Sequence, residues 1–316
     1  MDERGAEPGK AKAARLTRAA FLAGVAATAA GRAVPSSAQM GAGMLTRTIP
    51  STGVKLPVIG LGTWRVFDVG ADAAARAPLA EVLRALFEAG GSVIDSSPMY
   101  GAAEGVVGDL LTSLKARDKA FVATKVWTQG RDAGVAQMRE SMRRMAADPV
   151  DLMQIHNLVD WRTHLATLRA WKREGRVRHI GVTHYTASAH DELEAALRAE
   201  AFDSVQVNYA LDDRDAERRL LPAAAERGVA VVVNMPFGGG GLIRRLAPRP
   251  LPGWAAEIGC ASWAQILLKY LLGHHAVTCV IPGTSQARHM RDNAAAGSGP
   301  LPDAALRARM VKEIET

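Results

Sequence analysis

Short β-rich apolar runs alternate with amphipathic helical stretches from residue 44 onward, and this alternation constrains the fold more than any other feature of the chain. Strands are read at Gly60–Trp64, Ser92–Ser96, Phe121–Val126, Leu152–His156, His179–Thr183, Ser204–Asn208, Ala230–Val233 and Thr278–Ile281. They are short, bounded by Gly, Asp or Pro, and apolar enough to be buried on both faces, as parallel strands are. Helices lie between them. Ala80–Ala89 keeps Val82, Leu83, Leu86 and Phe87 on one face, and 164–172 repeats Leu165, Leu168 and Trp171 at helical spacing. Gly90, Gly175 and Gly228 sit where a helix C-terminus favours glycine. Residues 284–296 and 302–315 read as two final helices.

Repeated strand–helix units imply a parallel sheet. Eight units over about 260 residues fit one closed (β/α)8 (TIM) barrel, residues 44–316. A doubly wound sheet is the rival, but it calls for a GxGxxG turn after the first strand. Gly60-Leu-Gly-Thr-Trp64 lacks that pattern, as does every other glycine cluster here. Leu45–Ile49 and Lys55–Ile59, flanking Ser51-Thr52-Gly53, predict an N-terminal β-hairpin ahead of the barrel.

A barrel of this kind carries its active site at the C-terminal ends of its strands. Asp95 closes the second strand, Lys125 the third and His156 the fourth, with Tyr100 five residues after Asp95. One strand-end histidine would ordinarily be a satisfied structural residue; three polar closures on consecutive strands point to a site. A carbonyl that accepts hydride needs a proton, and tyrosine can give it, although its reference pKa of ~10 is high for neutral pH. A neighbouring ammonium lowers that value, and a carboxylate keeps the ammonium charged under burial. Histidine can hydrogen-bond and orient the carbonyl oxygen. Asp95, Tyr100, Lys125 and His156 thus form an acid–base set that requires no metal.

At this point the chain resembles the aldo/keto reductase family, from about residue 45 to 315. The motifs are Gly60-Leu-Gly-Thr-Trp64, Ile94-Asp-Ser-Ser-Pro-Met-Tyr-Gly101, Thr124-Lys125, Asp151–His156, Ile180-Gly-Val-Thr183, Gln206-Val-Asn-Tyr209 and Ile281-Pro-Gly-Thr-Ser285. The resemblance implies a nicotinamide-dependent carbonyl reductase using NADPH, with NADH possible. Tyr100 would be the general acid, Lys125 and Asp95 would tune it, and His156 would orient the substrate. For the cofactor it implies Thr183, His184 and Gln206 at the nicotinamide and Gly238, in the Gly238–Gly241 run, near the pyrophosphate. At the adenine end it points to Thr284, Ser285, Arg288 and Asn293, with Asp292 a further adenine contact. The sequence departs from the family at Asn234, where an aromatic stacks on the nicotinamide, and at His184, which replaces an asparagine. Gly283 and His289 replace the lysine and arginine expected at a 2′-phosphate. The alternative is a cofactor-binding sensing or regulatory barrel without turnover.

Residues 1–38 are read as a separate targeting segment. A basic region to Arg18 precedes the weakly apolar 19–31, and the small residues Ser36, Ser37 and Ala38 follow. This is the order of an export signal, too short and alanine-rich to span a membrane. Thr17-Arg18-Ala19-Ala20-Phe21-Leu22 resembles a twin-arginine signal with Ala19 in place of the second arginine. The expectation is periplasmic or exported protein, the alternative a cytoplasmic one with an alanine-rich tail.

The net charge of +7 comes from 39 basic and 32 acidic residues. Part of it belongs to residues 1–38, and the rest alternates in sign along helical stretches such as Glu140-Ser-Met-Arg-Arg144, so no nucleic-acid footprint is read. Cys260 and Cys279 are too few for a disulfide framework or a four-thiolate zinc site. His274-His275 lacks a third ligand nearby, and Ser96 and Ser97 lie in no nucleophile elbow. The expected partner is a small carbonyl compound. Neither that compound nor the oligomeric state is legible here.

Overall fold

The computed structural model describes residues 43–315, so the expected leader over 1–38 lies outside the described residues. Strands β1 (Thr46–Thr48) and β2 (Lys55–Pro57) form the hairpin, with Thr46 opposite Pro57 and Thr48 opposite Lys55. Eight parallel strands follow: β3 (Leu61–Gly62), β4 (Val93–Asp95), β5 (Phe121–Val126), β6 (Val150–Ile155), β7 (Val177–His184), β8 (Ser204–Asn208), β9 (Ala230–Asn234) and β10 (Val277–Val280). They hydrogen-bond in sequence order. The sheet closes on itself where Ile59 bridges Val280 and Gly62 bridges Gly283, both in parallel. The Gly60 N–H donates to the Val280 carbonyl, and the Val280 N–H to that of Val58, each at 2.9 Å. The expected (β/α)8 barrel with an N-terminal hairpin is therefore what the chain forms.

The helices are α1 (Ala73–Glu88), α2 (Ala103–Ser113), α3 (Arg131–Arg144), α4 (Trp161–Arg173), α5 (His190–Ala199), α6 (Leu220–Glu226), α7 (Gly241–Leu246), α8 (Trp263–Leu272), α9 (Ala287–Ala295) and α10 (Ala304–Glu315). Helix α1 begins earlier than its apolar periodicity from Ala80 suggests. Asp72 caps it, its carboxylate accepting from the N–H groups of Ala74 and Ala75, and the helix runs through Pro78. The first barrel strand is shorter than read, because the chain turns at Thr63 and the N–H groups of Val66 and Phe67 donate back to its carbonyl. None of the described helices is long and apolar enough to cross a membrane.

Alternate strand residues face outward onto the helices, where Ile94, Val122, Met153, Val182, Val205 and Val231 join one continuous apolar cluster. The inner set changes character along the strands. Near the N-terminal end Val93, Ala230, Val232, Cys279 and Ile281 form an apolar cluster with Ile49 and Leu56 of the hairpin. Nearer the C-terminal end Lys125, Gln154 and Gln206 all donate to the Asp95 carboxylate. The hairpin also docks through polar groups: Ser51 Oγ donates to Asp203 at 2.5 Å, and Thr52 Oγ1 pairs with His179 Nε2 at 3.0 Å. The N-terminal end is thus floored, and the polar cluster inside the barrel lies at the other end.

Candidate active site

Asp95 is the last residue of β4, and its backbone pairs in register with Ala123 of β5. Beyond it the chain turns, with the Tyr100 N–H donating to the Ser97 carbonyl at 3.0 Å, and this turn carries the phenol back over the barrel mouth. Lys125, near the end of β5, lies opposite Gln154 of β6. His156 follows β6 directly, in a short 3-10 turn rather than in the strand itself. All four residues expected from the sequence therefore meet at one end of the barrel.

The centre of the site is an ion pair cut off from solvent. Lys125 Nζ donates to Asp95 Oδ2 at 2.6 Å and to the Ser96 carbonyl at 2.7 Å. Asp95 Oδ1 accepts from Gln154 Nε2 at 2.9 Å and from Gln206 Nε2 at 2.8 Å. Thr63 Oγ1 holds the Asp95 carbonyl at 3.0 Å and Ser96 Oγ at 2.9 Å, fixing the strand end. A buried pair contributes little to stability against an apolar substitute, but removing one partner leaves an uncompensated charge. Lys125 Nζ lies 5.0 Å from the centroid of the Tyr100 ring. The Tyr100 and His156 rings meet edge to face, centroids 5.9 Å apart at 85°.

Burial pulls the Lys125 pKa down, but Asp95 and the Tyr100 phenol outweigh it and hold the amine above its ordinary value. Tyr100 is pulled in two directions. Burial raises its pKa, Lys125 lowers it, and burial prevails, so the phenol titrates above its ordinary value. Lys125 thus lowers the Tyr100 value as its charge predicts, but only offsets part of the desolvation, and the proton stays in place. His156 falls to about 2 through burial, Lys125 and His184, so its ring is neutral at any ordinary pH.

The residues assigned to a cofactor divide by position. Thr183, His184 and Gln206 lie on β7 and β8 at the same end as the ion pair, Thr183 opposite Gln206. Thr183 Oγ1 accepts from the Asn157 N–H at 3.4 Å. His184 Nδ1 accepts from the N–H groups of Tyr185 and Thr186 at 3.1 and 3.2 Å, which places its ring proton on Nε2. Two side-chain oxygens at this rim, Oδ1 of Asn157 and Oδ1 of Asn234, are buried without a donor. Buried acceptors are rarely left unpaired, and an amide NH2 such as that of a nicotinamide suits them. A nicotinamide cofactor thus fits the residues present, although Asn234 offers an acceptor rather than a ring.

The remaining assignments sit farther along the chain. Gly238, Gly239 and Gly240 all have positive φ, between +57° and +89°, and lead into α7. Buried Thr284 accepts the Gln286 N–H on its Oγ1 at 3.1 Å, just before α9, and Asn293 is buried within α9. Ser285 and Arg288 are exposed, and Arg288 Nε donates to the side-chain oxygen of Gln286 at 2.8 Å. Asp292 faces elsewhere, accepting from Ser262 Oγ and Gln265 Nε2 at the start of α8.

Three contributors carry no role in the sequence analysis. Gln154 lies within the Asp151–His156 motif only as a mid-strand amide, yet it reaches Asp95. Gly181 makes that reach possible, because a Cβ there would lie 2.8 Å from Gln154 Cγ and 2.6 Å from Ser204 Oγ. Ser97, dismissed as a nucleophile, has its Oγ 3.1 Å from His156 Nδ1. Around the mouth Trp64, Met99, Trp127 and Tyr185 are exposed, and the Trp127 ring centroid lies 6.4 Å from that of His156.

Residues 58–311 match the model of the aldo/keto reductase family. The chain is 31% identical over 249 residues to methylglyoxal reductase YeaE of Escherichia coli, covering 77% of this chain and 86% of that protein. It is 27% identical to methylglyoxal reductase DkgB of Yersinia pestis, covering 76% and 86%. Among solved structures it resembles an aldo-keto reductase from Klebsiella pneumoniae in complex with NADPH, at 27% identity and a TM-score of 0.71 over 86% of this chain and 96% of that one. The barrel, the strand-end set and these likenesses agree: the chain belongs to the aldo/keto reductase family and is an oxidoreductase acting between carbonyl and alcohol.

Proposed function

We propose that this barrel reduces small aldehydes and ketones, short 2-oxoaldehydes among them, with Tyr100 as the proton donor. The observation that carries the reading is the buried Lys125–Asp95 pair at 2.6 Å, with the ammonium 5.0 Å from the Tyr100 ring. The phenol holds its proton at neutral pH and releases it to an oxygen that becomes an alkoxide. Lys125 stabilises the phenolate left behind, while Asp95 keeps Lys125 charged and in place. Neutral His156 directs a ring N–H at the carbonyl oxygen and fixes its orientation. Alcohol oxidation uses the same groups in reverse.

The NADPH complex of the Klebsiella pneumoniae relative supports NADPH as the partner in this reaction, which when bound supplies the hydride. Thr183, His184, Gln206, Asn157 and Asn234 would hold the nicotinamide end. The Gly238–Gly241 run would lie near the pyrophosphate, and Thr284, Ser285, Arg288 and Asn293 would hold the adenine end. The preference for short 2-oxoaldehydes is supported by the names of the Escherichia coli and Yersinia pestis relatives. The test is turnover of purified protein with NADPH and with NADH across short aldehydes, ketones and sugars. No turnover with any carbonyl would overturn the reading.

Export is a further part of the proposal. The order of basic, weakly apolar and small residues over 1–38 supports a cleaved leader ending near Ala38, with residues 44–316 as the working domain. Fractionation of the native host with N-terminal sequencing tests it; intact cytoplasmic protein starting at Met1 would refute it.

A further inference from the structure

A neutral histidine can present either of two faces to a substrate. With the proton on Nε2 it donates there and accepts at Nδ1; with the proton on Nδ1 the roles reverse. An imidazole that directs a carbonyl must be held in one of these forms, because the wrong one turns a lone pair toward the oxygen. Nothing in the neutrality of His156 itself makes that choice. Its aromatic neighbours, Tyr100 and Trp127, offer ring contacts only. Among the described residues the polar partner of the ring is Ser97, whose Oγ lies 3.1 Å from Nδ1.

The serine's other contact leaves its own proton available for that bond. Ser97 is fully buried. Its Oγ takes a long contact, 3.4 Å, from the Met99 N–H, which uses the oxygen as an acceptor. With one lone pair of Oγ taken in this way, the hydroxyl's own proton is available to Nδ1, and that bond goes with a ring proton on Nε2. The turn responsible also places the phenol, since the Tyr100 N–H donates to the Ser97 carbonyl at 3.0 Å. Acid and orienting group are thus set by one four-residue turn.

We propose that Ser97 is a positioning residue that fixes His156 as the Nε2–H tautomer, so that its free N–H faces the carbonyl oxygen. The proposal rests on the reading of His156 given above, and its test separates the two. Nitrogen NMR of histidine-labelled protein reports the tautomer without any turnover, and the His156 signals are identified by their loss in His156→Gln. The unaltered protein should show a protonated Nε2 and a bare Nδ1. In Ser97→Ala the pair of signals should move toward a mixture of tautomers. Turnover should fall about three- to tenfold, the worth of one neutral hydrogen bond, chiefly in kcat. In a His156→Gln background the same serine change should cost nothing further, because the group it acts through is gone.

An unchanged tautomer in Ser97→Ala would overturn the proposal. So would an equal loss of turnover in both backgrounds, which a merely structural serine would produce. A tautomer that shifts while kcat stays constant in both Ser97→Ala and His156→Gln would uphold the pairing and refute the role given to His156. Denaturation midpoints for each variant, close to that of the unaltered protein, keep folding out of the comparison.

Discussion

Asp95 and Glu217 are both carboxylates that gather donors inside the protein, yet they treat their tyrosines differently. Asp95 accepts from Lys125, Gln154 and Gln206, while Tyr100 meets the ammonium, which lies 5.0 Å from its ring centroid. Glu217 takes the phenols themselves: Tyr209 donates to it directly, Tyr270 does so at 2.9 Å, and Arg307 joins at 2.6 Å. Burial then pushes Tyr270 up to about 12 and Tyr209 beyond any accessible range, each helped by the carboxylate. A phenol bound to an anion is anchored, while a phenol facing a cation can let its proton go. The Glu217 cluster accordingly ties α10, α8 and the residue after β8 together, and the Asp95 cluster leaves its phenol paired with a cation at the barrel mouth.

The sharpest way to break this contrast is to delete each hydroxyl. Tyr100→Phe should lower kcat by roughly 10²–10⁴-fold, the usual worth of general acid catalysis, with the denaturation midpoint nearly unchanged. Tyr209→Phe should do the opposite, keeping kcat within about threefold and lowering stability by about 1–3 kcal/mol. Steady-state kinetics and denaturant titration of both variants read the two effects; equal loss of kcat in both would erase the distinction.

The next largest effect belongs to the cation. Lys125→Met removes the charge that offsets burial at Tyr100 and leaves Asp95 without its ion partner. Alcohol oxidation, which needs the phenolate, should fall by about 10²-fold or more, the worth of one preorganised charge. Its rise with pH should also move to higher pH, because the phenol pKa climbs further. With His156 at about 2, the unaltered enzyme's kcat for reduction should show no histidine break between about pH 5 and 8. A break near 6.5 would place His156 in water rather than in the packed site.

Acid should act on the other cluster. Tyr209, Tyr270 and Arg307 outweigh burial and hold Glu217 below its ordinary value of 4.5. A depressed carboxyl stabilises the fold fully above the unfolded-state value, and that stability is lost as pH falls through the folded one. Stability should therefore decline below about pH 4.5, and Glu217→Gln should flatten the decline while lowering stability at pH 7 by about 1–2 kcal/mol. Smallest of all is Arg288→Ala. The arginine is exposed and hydrogen-bonded to Gln286, so NADPH affinity should drop no more than about tenfold with NADH unaffected, as read by cofactor fluorescence titration.

The barrel was readable because each strand is a short apolar run with a marked end, and the site was readable where a polar residue closes such a run. Asp95, Lys125 and His156 announce themselves in that way. Gln154 does not, since an amide inside a strand has meaning only once Asp95 is known to lie across the barrel. Gly181 is likewise silent until Gln154 needs its space. The first turns of α1 escaped notice because Pro78 breaks the pattern that Asp72 nonetheless initiates. The balance at Tyr100 could not be seen at all: a sequence shows that a lysine is near in order, but not how much water has been removed.

The hairpin and the apolar layer beneath the ion pair make the barrel a cup with a single lip. Anything that reaches Tyr100 crosses the ring of Trp64, Met99, Trp127 and Tyr185 and departs by the same way. Which end of the barrel is open to guests is thus decided by a hairpin at the opposite end from the reaction.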